Sequence, residues 1–318
     1  MKGIWVTWEF QRRNRGISLA LGWPLYEIVI EKHRILRYFC SAMETIKVMN
    51  KERPDFVAAQ NPSIVLALLT ILLKPFFRYK TLIDAHNSGI CPEEGKSLAL
   101  TLVSKWLQRN ADLTIVTNED LKFVVESNGG VAFVLPDRLP QVPDETSHPL
   151  DGRFNIVYIC TYNVDEPYKE VLDAARMIPG DVMIYITGKC QGKVDPHCVP
   201  GNVKLVGFLP DDEFWALLFS SDFIMDLTLR EGCLLCGAYE GVSILKPLIL
   251  SDTKALRSYF SEGSVYVAPN PESIAKGVLD AIRDVEELRF GIGRLRERLK
   301  DAWSGALKDL VRTIESIG

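Results

Sequence analysis

The chain has 318 residues, 47% of them hydrophobic and 25% charged, which exceeds one small module and suits two domains of about 150 residues each. That balance, with no low-complexity stretch, excludes disorder, collagen and coiled coil. The net charge of −4 gives no reason to expect nucleic acid as a partner, but residues 1–80 carry 13 Lys/Arg against 6 Asp/Glu whereas 151–318 carry 19 against 25; a basic first third suggests an anionic substrate or an anionic membrane surface.

The first strand is expected over Lys2 to Trp8 and a helix from Arg15 to Leu21. After the turn signal Arg53-Pro54-Asp55 come a strand at Phe56 to Ala59, a helix at Ile64 to Leu73, a strand at Thr81 to Ala85, a helix at Lys96 to Arg109 and a strand at Leu113 to Thr117. The stretch from Leu135 to Pro149 holds four prolines without periodicity and reads as a linker. A second series follows: strand Asn155 to Cys160, helix Tyr168 to Met177, strands Val182 to Thr187 and Val203 to Leu205, helix Asp211 to Phe219, strand Phe223 to Leu227, helix Leu235 to Leu245, strand Pro247 to Leu250, then helices to the end. Strands alternating with helices predict an α/β chain of two doubly wound parallel sheets facing each other across a cleft, with ligands at the carboxyl ends of the strands. The domains are 1–145 and 150–301, with 302–318, which carries Trp303, returning to the first.

Seven scattered cysteines and an opening MKGIWVTWEF without a signal-peptide pattern point to a reducing, cytoplasmic setting. Cys233 and Cys236 have CxxC spacing, but four dispersed histidines do not complete a zinc tetrahedron, so no metal is expected. The apolar run Ile64 to Leu73 is half the length a membrane span needs. Its continuation, Phe76 to Lys80, combines aromatics with positive charge as interfacial anchors do, the helix itself reading as core.

Polar punctuation is densest after the strand ending near Leu227, where Arg230, Glu231 and Gly232 precede a helix bearing Glu240. Glu240 to Asp252, with Lys246-Pro247, an apolar strand and Ser251-Asp252, resembles the nucleotide-sugar loop of GT-B glycosyltransferases, especially family 4. Eight residues separate Glu231 from Glu240, one more than that pattern has. Asn202 to Asp222, containing Gly207-Phe208-Leu209, and Asn110 to Asp120 are similar to further units of the same family. Asp84-Ala85-His86-Asn87 and Thr161 to Glu166 resemble loops of the chitobiosyl-diphosphodolichol β-mannosyltransferases.

The resemblance implies a GT-B fold, two Rossmann-like domains, and transfer of a sugar from a UDP- or GDP-linked donor to a lipid-linked or polysaccharide acceptor at the cytoplasmic membrane face. No further cofactor is implied, and the absence of Asp-x-Asp agrees with a metal-independent site. Glu240 inherits the contact to the ribose hydroxyls, for which an ionised carboxylate is a suitable acceptor. Gly207, Phe208 and Leu209 become the nucleobase loop. Glu231 is either the sugar-contacting carboxylate or a helix cap. Arg230 and the amides of Gly232 and Cys233, if they open a helix, are candidates for the diphosphate, with Lys169 the nearest base after the first strand of the second domain. His86 could contact the transferred sugar or orient the acceptor. The usual glycine turn after the first strand is replaced by Arg12-Arg13-Asn14-Arg15-Gly16, where Gly16 alone allows close approach and the arginines either bind an anionic acceptor or solvate a loop. Two rivals are a sugar-nucleotide epimerase of the same fold and a silent nucleotide-binding subunit.

Overall fold

The computed structural model describes residues 2–61 and 63–318, apart from the side chains of Glu93 and Glu94. The chain divides into two compact units, Met1–Arg138 with Ala302–Gly318 and Leu139–Asp301.

The first unit runs β1 Gly3–Thr7, α1 Arg12–Leu21, β2 Leu25–Glu27, α2 Arg34–Glu52, β3 Phe56–Asn61, α3 Ile64–Phe77, β4 Lys80–Ala85, α4 Asn87–Ile90, a 3-10 turn Pro92–Gly95, α5 Leu98–Asn110, β5 Leu113–Val116, α6 Glu119–Ser127 and β6 Ala132–Val134. All six strands are parallel, in the order β2-β1-β3-β4-β5-β6. The central strands β1 and β3 are buried along their whole length, as continuous apolar runs covered on both faces must be. One face packs on α2, α3, α5 and α6 through Val6, Met49, Leu66, Ile83, Leu107 and Val125. The other is closed by Ile17 of α1 and by Trp303, Leu310 and Ile314 from the chain's last residues, against Trp5, Phe56, Leu82 and Ile115.

The second unit runs β7 Phe154–Tyr158, α7 Tyr168–Ala175, β8 Val182–Thr187, β9 Val203–Gly207, α8 Asp211–Ser220, β10 Phe223–Asp226, α9 Cys236–Ser243, β11 Leu248–Ser251, α10 Lys254–Tyr259, β12 Ser264–Val267, α11 Pro271–Arg283 and α12 Val285–Ile317, whose residues from Ala302 onward belong to the first unit. Its six parallel strands are ordered β12-β11-β10-β7-β8-β9. This is the dinucleotide-fold order, with its switch point between β7 and β10.

Several elements differ from the sequence reading. Strands β2, β6 and β12 are half-buried edge pieces without a clear period. Helix α2 escapes detection because its core-facing residues are Ser41, Thr45 and Met49, while larger apolar side chains point outward. Helix α3 continues through Pro75 to Phe77, since a proline in the last turn forfeits one backbone bond and no more.

Candidate functional site

In the second unit the connections at the strands' carboxyl ends form one edge. The loop after β7 is tied by Glu166, whose carboxylate accepts from the Thr161 and Asn163 amides and the Thr161 hydroxyl at 2.8 to 3.1 Å. This turn carries Tyr162 at a φ of 58°. The loop after β10 is bound to it across the switch point: the Leu229 amide donates to the Asp165 carbonyl at 2.7 Å, and Arg230 Nε lies 3.2 Å from the Asp165 carboxylate. The Thr228 amide also donates to Ser251 Oγ at the end of β11, at 2.8 Å. Arg230 is therefore oriented by an ion pair and still exposed.

Helix α9 starts at Cys236, with Leu235 as its cap. That corrects the expectation of a helix opening at Gly232: Gly232 occupies a turn at a φ of 65°, Glu231 is an exposed loop residue and not a helix cap, and the Gly232 and Cys233 amides are loop amides. Two glycines one turn apart let α9 approach β10 and β11 closely. A Cβ on Gly237 would meet Asp226 Oδ2 at 2.6 Å, and one on Gly241 would meet Leu248 Cδ2 at 2.5 Å. Glu240, between them, is 7% exposed.

Asp226, at the end of β10, accepts the Gly237 amide at 2.8 Å. Burial, with the negative fields of Glu240 and Glu166, raises its pKa well above the usual carboxylate range, against the opposing pull of the Gly237 amide. A carboxyl group with a raised folded pKa contributes stability that is complete below its unfolded value and is lost as the pH rises through the folded one. Asp226→Asn keeps an acceptor for Gly237 and cannot ionise. Its melting temperature relative to the parent should therefore climb as the pH is raised from about 4, the range of an unfolded carboxyl, into the neutral range. A difference independent of pH across that window would refute the assignment.

The proposed base loop lies at the end of β9. Gly207 adopts a φ of 78° with open space where a Cβ would stand, and its carbonyl accepts the Gly188 amide at 2.8 Å. Phe208 is 74% exposed, with Lys189 Nζ 5.6 Å from its ring centroid. Leu209 is half-exposed and Lys169, in the first turn of α7, is exposed.

In the first unit His86 caps α4. Its Nε2 lies 4.0 Å from Asp84 Oδ2 and has no hydrogen-bond partner among the described residues. Asp84 is engaged by Arg13, a residue that the sequence reading placed in a solvated or acceptor-binding loop. Arg13 donates through Nε and Nη2 to Asp84 at 2.8 to 3.1 Å, through Nη1 to Asp137 at 2.8 Å and through Nη2 to the Leu135 carbonyl at 2.9 Å. Arg13 is thus an internal tie. Arg15 pairs at the surface with Glu27, at 2.8 Å. Gly16 is corrected too: it lies inside α1, and a Cβ added there would meet nothing within 4 Å, so no glycine turn follows β1.

The structure thus gathers Arg230, Glu231, Gly232, Cys233 and Glu240 on the connections at or after β10, and Gly207, Phe208 and Leu209 after β9. Asp226 was missed. The signal available for it was a carboxylate ending an apolar strand, four residues before Arg230.

Solved structures resemble the whole chain. Sucrose-phosphate synthase from Thermosynechococcus elongatus superposes with a TM-score of 0.75 at 14% identity, covering 100% of this chain and 99% of that one. HepE from Anabaena, in complex with UDP, gives 0.75 at 13% identity over 99% and 100%. The fold is GT-B. A Listeria monocytogenes protein described as a putative UDP-N-acetylglucosamine 2-epimerase gives 0.61 at 14% identity over 97% and 98%. No protein-family model matches the chain, and no curated protein does.

Proposed function

We propose that this protein transfers a sugar from a nucleotide-activated donor to a lipid-linked or polysaccharide acceptor. The observation that carries the reading is the switch point of the second unit, where the loops after β7 and β10 are hydrogen-bonded to each other beside a glycine-packed helix bearing Glu240. Open α/β sheets bind ligands there. Glu240 takes the ribose hydroxyls, Gly207 to Leu209 meet the base, and Arg230 and Lys169, with the Gly232 and Cys233 amides, face the diphosphate. Glu231 lies toward the sugar. His86 contacts the sugar or the acceptor hydroxyl.

In the reaction the bond between the anomeric carbon and the diphosphate oxygen breaks, and a bond to the acceptor oxygen forms. The acceptor loses its hydroxyl proton and the nucleoside diphosphate departs with the electron pair. Cationic groups at the leaving group stabilise its developing charge in place of a metal ion. Similarity to HepE, which was solved with UDP, supports a UDP-linked sugar first.

A thermal-shift panel of UDP-, GDP- and dTDP-sugars tests the reading, because a ligand that binds only the folded state raises its stability with occupancy. One donor should stabilise the parent chain and leave Glu240→Ala unshifted, with the variant still folded. Unfolding of the variant, or an undiminished shift, would remove the ribose assignment. Epimerised sugar nucleotide after incubation with donor alone would replace the transferase reading with that of an epimerase.

A further inference from the structure

The carboxyl edge of the first sheet keeps buried polar atoms that its own chain does not pair. Register sets Gln60 of β3 beside Asp84 of β4, so both side chains stand on one face of the sheet, the face that α1 covers through Arg13. The Thr7 hydroxyl at the end of β1 donates to Gln60 Oε1. Gln60 is 0% exposed, yet its Nε2 has no hydrogen-bond partner among the described residues. Turning the amide over would give Thr7 the nitrogen and leave the oxygen unpaired in its stead. His86, two residues beyond Asp84, is orphaned in the same way at Nε2, and so is Gln11, the residue from which α1 starts, at Oε1. Native chains pair nearly all of their buried polar groups, and open α/β sheets bind ligands at this edge.

The charges around these atoms cancel within the fold. Asp84 is fully buried against Arg13, which also binds Asp137 and the Leu135 carbonyl, and Arg15 pairs with Glu27. The stretch Phe76 to Lys80, expected as an interfacial anchor, is engaged as well: Tyr79 is buried, Phe77 packs against the core, and Lys74 and Lys80 pair with Asp112. What remains at the edge is two carboxamides and an imidazole, which between them donate and accept. A phosphate or carboxylate would use the donors and be opposed by Gln11 Oε1 and by the Asp84 carboxylate. The hydroxyl groups of a sugar ring, each donor and acceptor at once, satisfy all three side chains.

We infer that the loop after β1 and the ends of β3 and β4 bind a neutral sugar ring through Gln11, Gln60 and His86. That this ring belongs to the acceptor rests on the sugar-transfer reading; that the edge takes a ring does not. A saccharide then takes the place of the anionic acceptor expected of the run Arg12 to Arg15, and a lipid-linked acceptor is recognised here by its sugar and not by its diphosphate. Gln60 is the specificity-determining side chain, because the Thr7 hydroxyl holds its amide in place and a ring hydroxyl completes its bonding.

Saturation-transfer NMR of the full chain with the methyl glycosides of glucose, galactose, mannose and N-acetylglucosamine tests the site. At least one should bind, and inorganic pyrophosphate should not displace it. Gln60→Leu keeps the volume and removes the amide. Thr7 still donates to the Glu9 carbonyl at 2.8 Å in that variant, so it should melt no lower than the parent while its affinity for the glycoside falls at least about tenfold. Gln60→Glu, which puts an acceptor where the nitrogen stood, should lose as much, and it reads the site should the leucine variant fail to fold. Arg15→Gln should bind like the parent. No glycoside bound, displacement by pyrophosphate, undiminished binding by either folded Gln60 variant, or lost binding in Arg15→Gln would each overturn the inference. Donor-induced thermal shifts on the parent keep the two readings separate: a chain that binds a glycoside and no donor defeats the transferase and leaves the ring site standing, and one that binds a donor and no glycoside does the reverse.

Discussion

Arg13→Met should destabilise the first unit by about 3 to 5 kcal/mol, because it strips the partner from a carboxylate that has no access to water. Asp84 is fully buried and the Arg13 side chain is 5% exposed. Burial alone would disfavour the guanidinium charge, and Asp84 and Asp137 more than offset that. Removing the arginine leaves the offset unmatched. A pair replaced as a whole by apolar groups of similar volume costs far less than a pair broken in half, so Arg13→Met/Asp84→Leu should recover much of the loss. Urea denaturation followed by tryptophan fluorescence reads this unit preferentially, since Trp5, Trp8, Trp23, Trp106 and Trp303 belong to it and Trp215 to the other. A single-variant loss below about 1 kcal/mol, the range of an exposed pair, would contradict the account.

The tie of Arg13 shows which part of the molecule a sequence withholds. Its partners stand 71 and 124 positions away, and nothing in the run Arg12 to Gly16 distinguishes a buried arginine from solvated neighbours. Side chains that act on their own chain segment were readable. The run from Glu240 to Asp252 was legible as a unit because α9, its turn and β11 are contiguous, and the structure supplies a physical role for its lysine: Lys246 donates to the Phe219 and Ser221 carbonyls at 2.7 and 2.6 Å, closing the end of α8. Parallel strands buried on both faces announce themselves as apolar runs, which is why β3, β4, β8 and β10 were found and the half-buried β2 and β12 were not. Helix α2 was hidden because Ile35, Leu36 and Phe39, among its largest apolar side chains, are exposed while Ser41 and Thr45 share its core-facing side with Met49.

The chain's last residues give the second large effect. Trp303 is 9% exposed, donates through Nε1 to the Pro136 carbonyl at 3.2 Å and lies under the Arg138 guanidinium, 5.3 Å from the ring centroid. Leu310 and Ile314, seven and eleven residues further along, are 0% and 2% exposed, and with Trp303 they keep one stripe of α12 against Trp5, Phe56 and Ile115. Trp303→Ala should cost the first unit about 3 to 5 kcal/mol, as large-to-small changes at buried aromatic positions do. Deleting 302–318 should do more, uncovering the part of the first sheet's face that α1 does not cover. The second unit retains both of its own core clusters in that truncation, because none of their residues lies beyond Leu299. The truncated chain should then lose native tryptophan fluorescence while keeping a donor-induced thermal shift, since Gly207, Arg230 and Glu240 all lie within Leu139–Asp301. Simultaneous loss of both signals would mean that the second unit depends on the first for its folding.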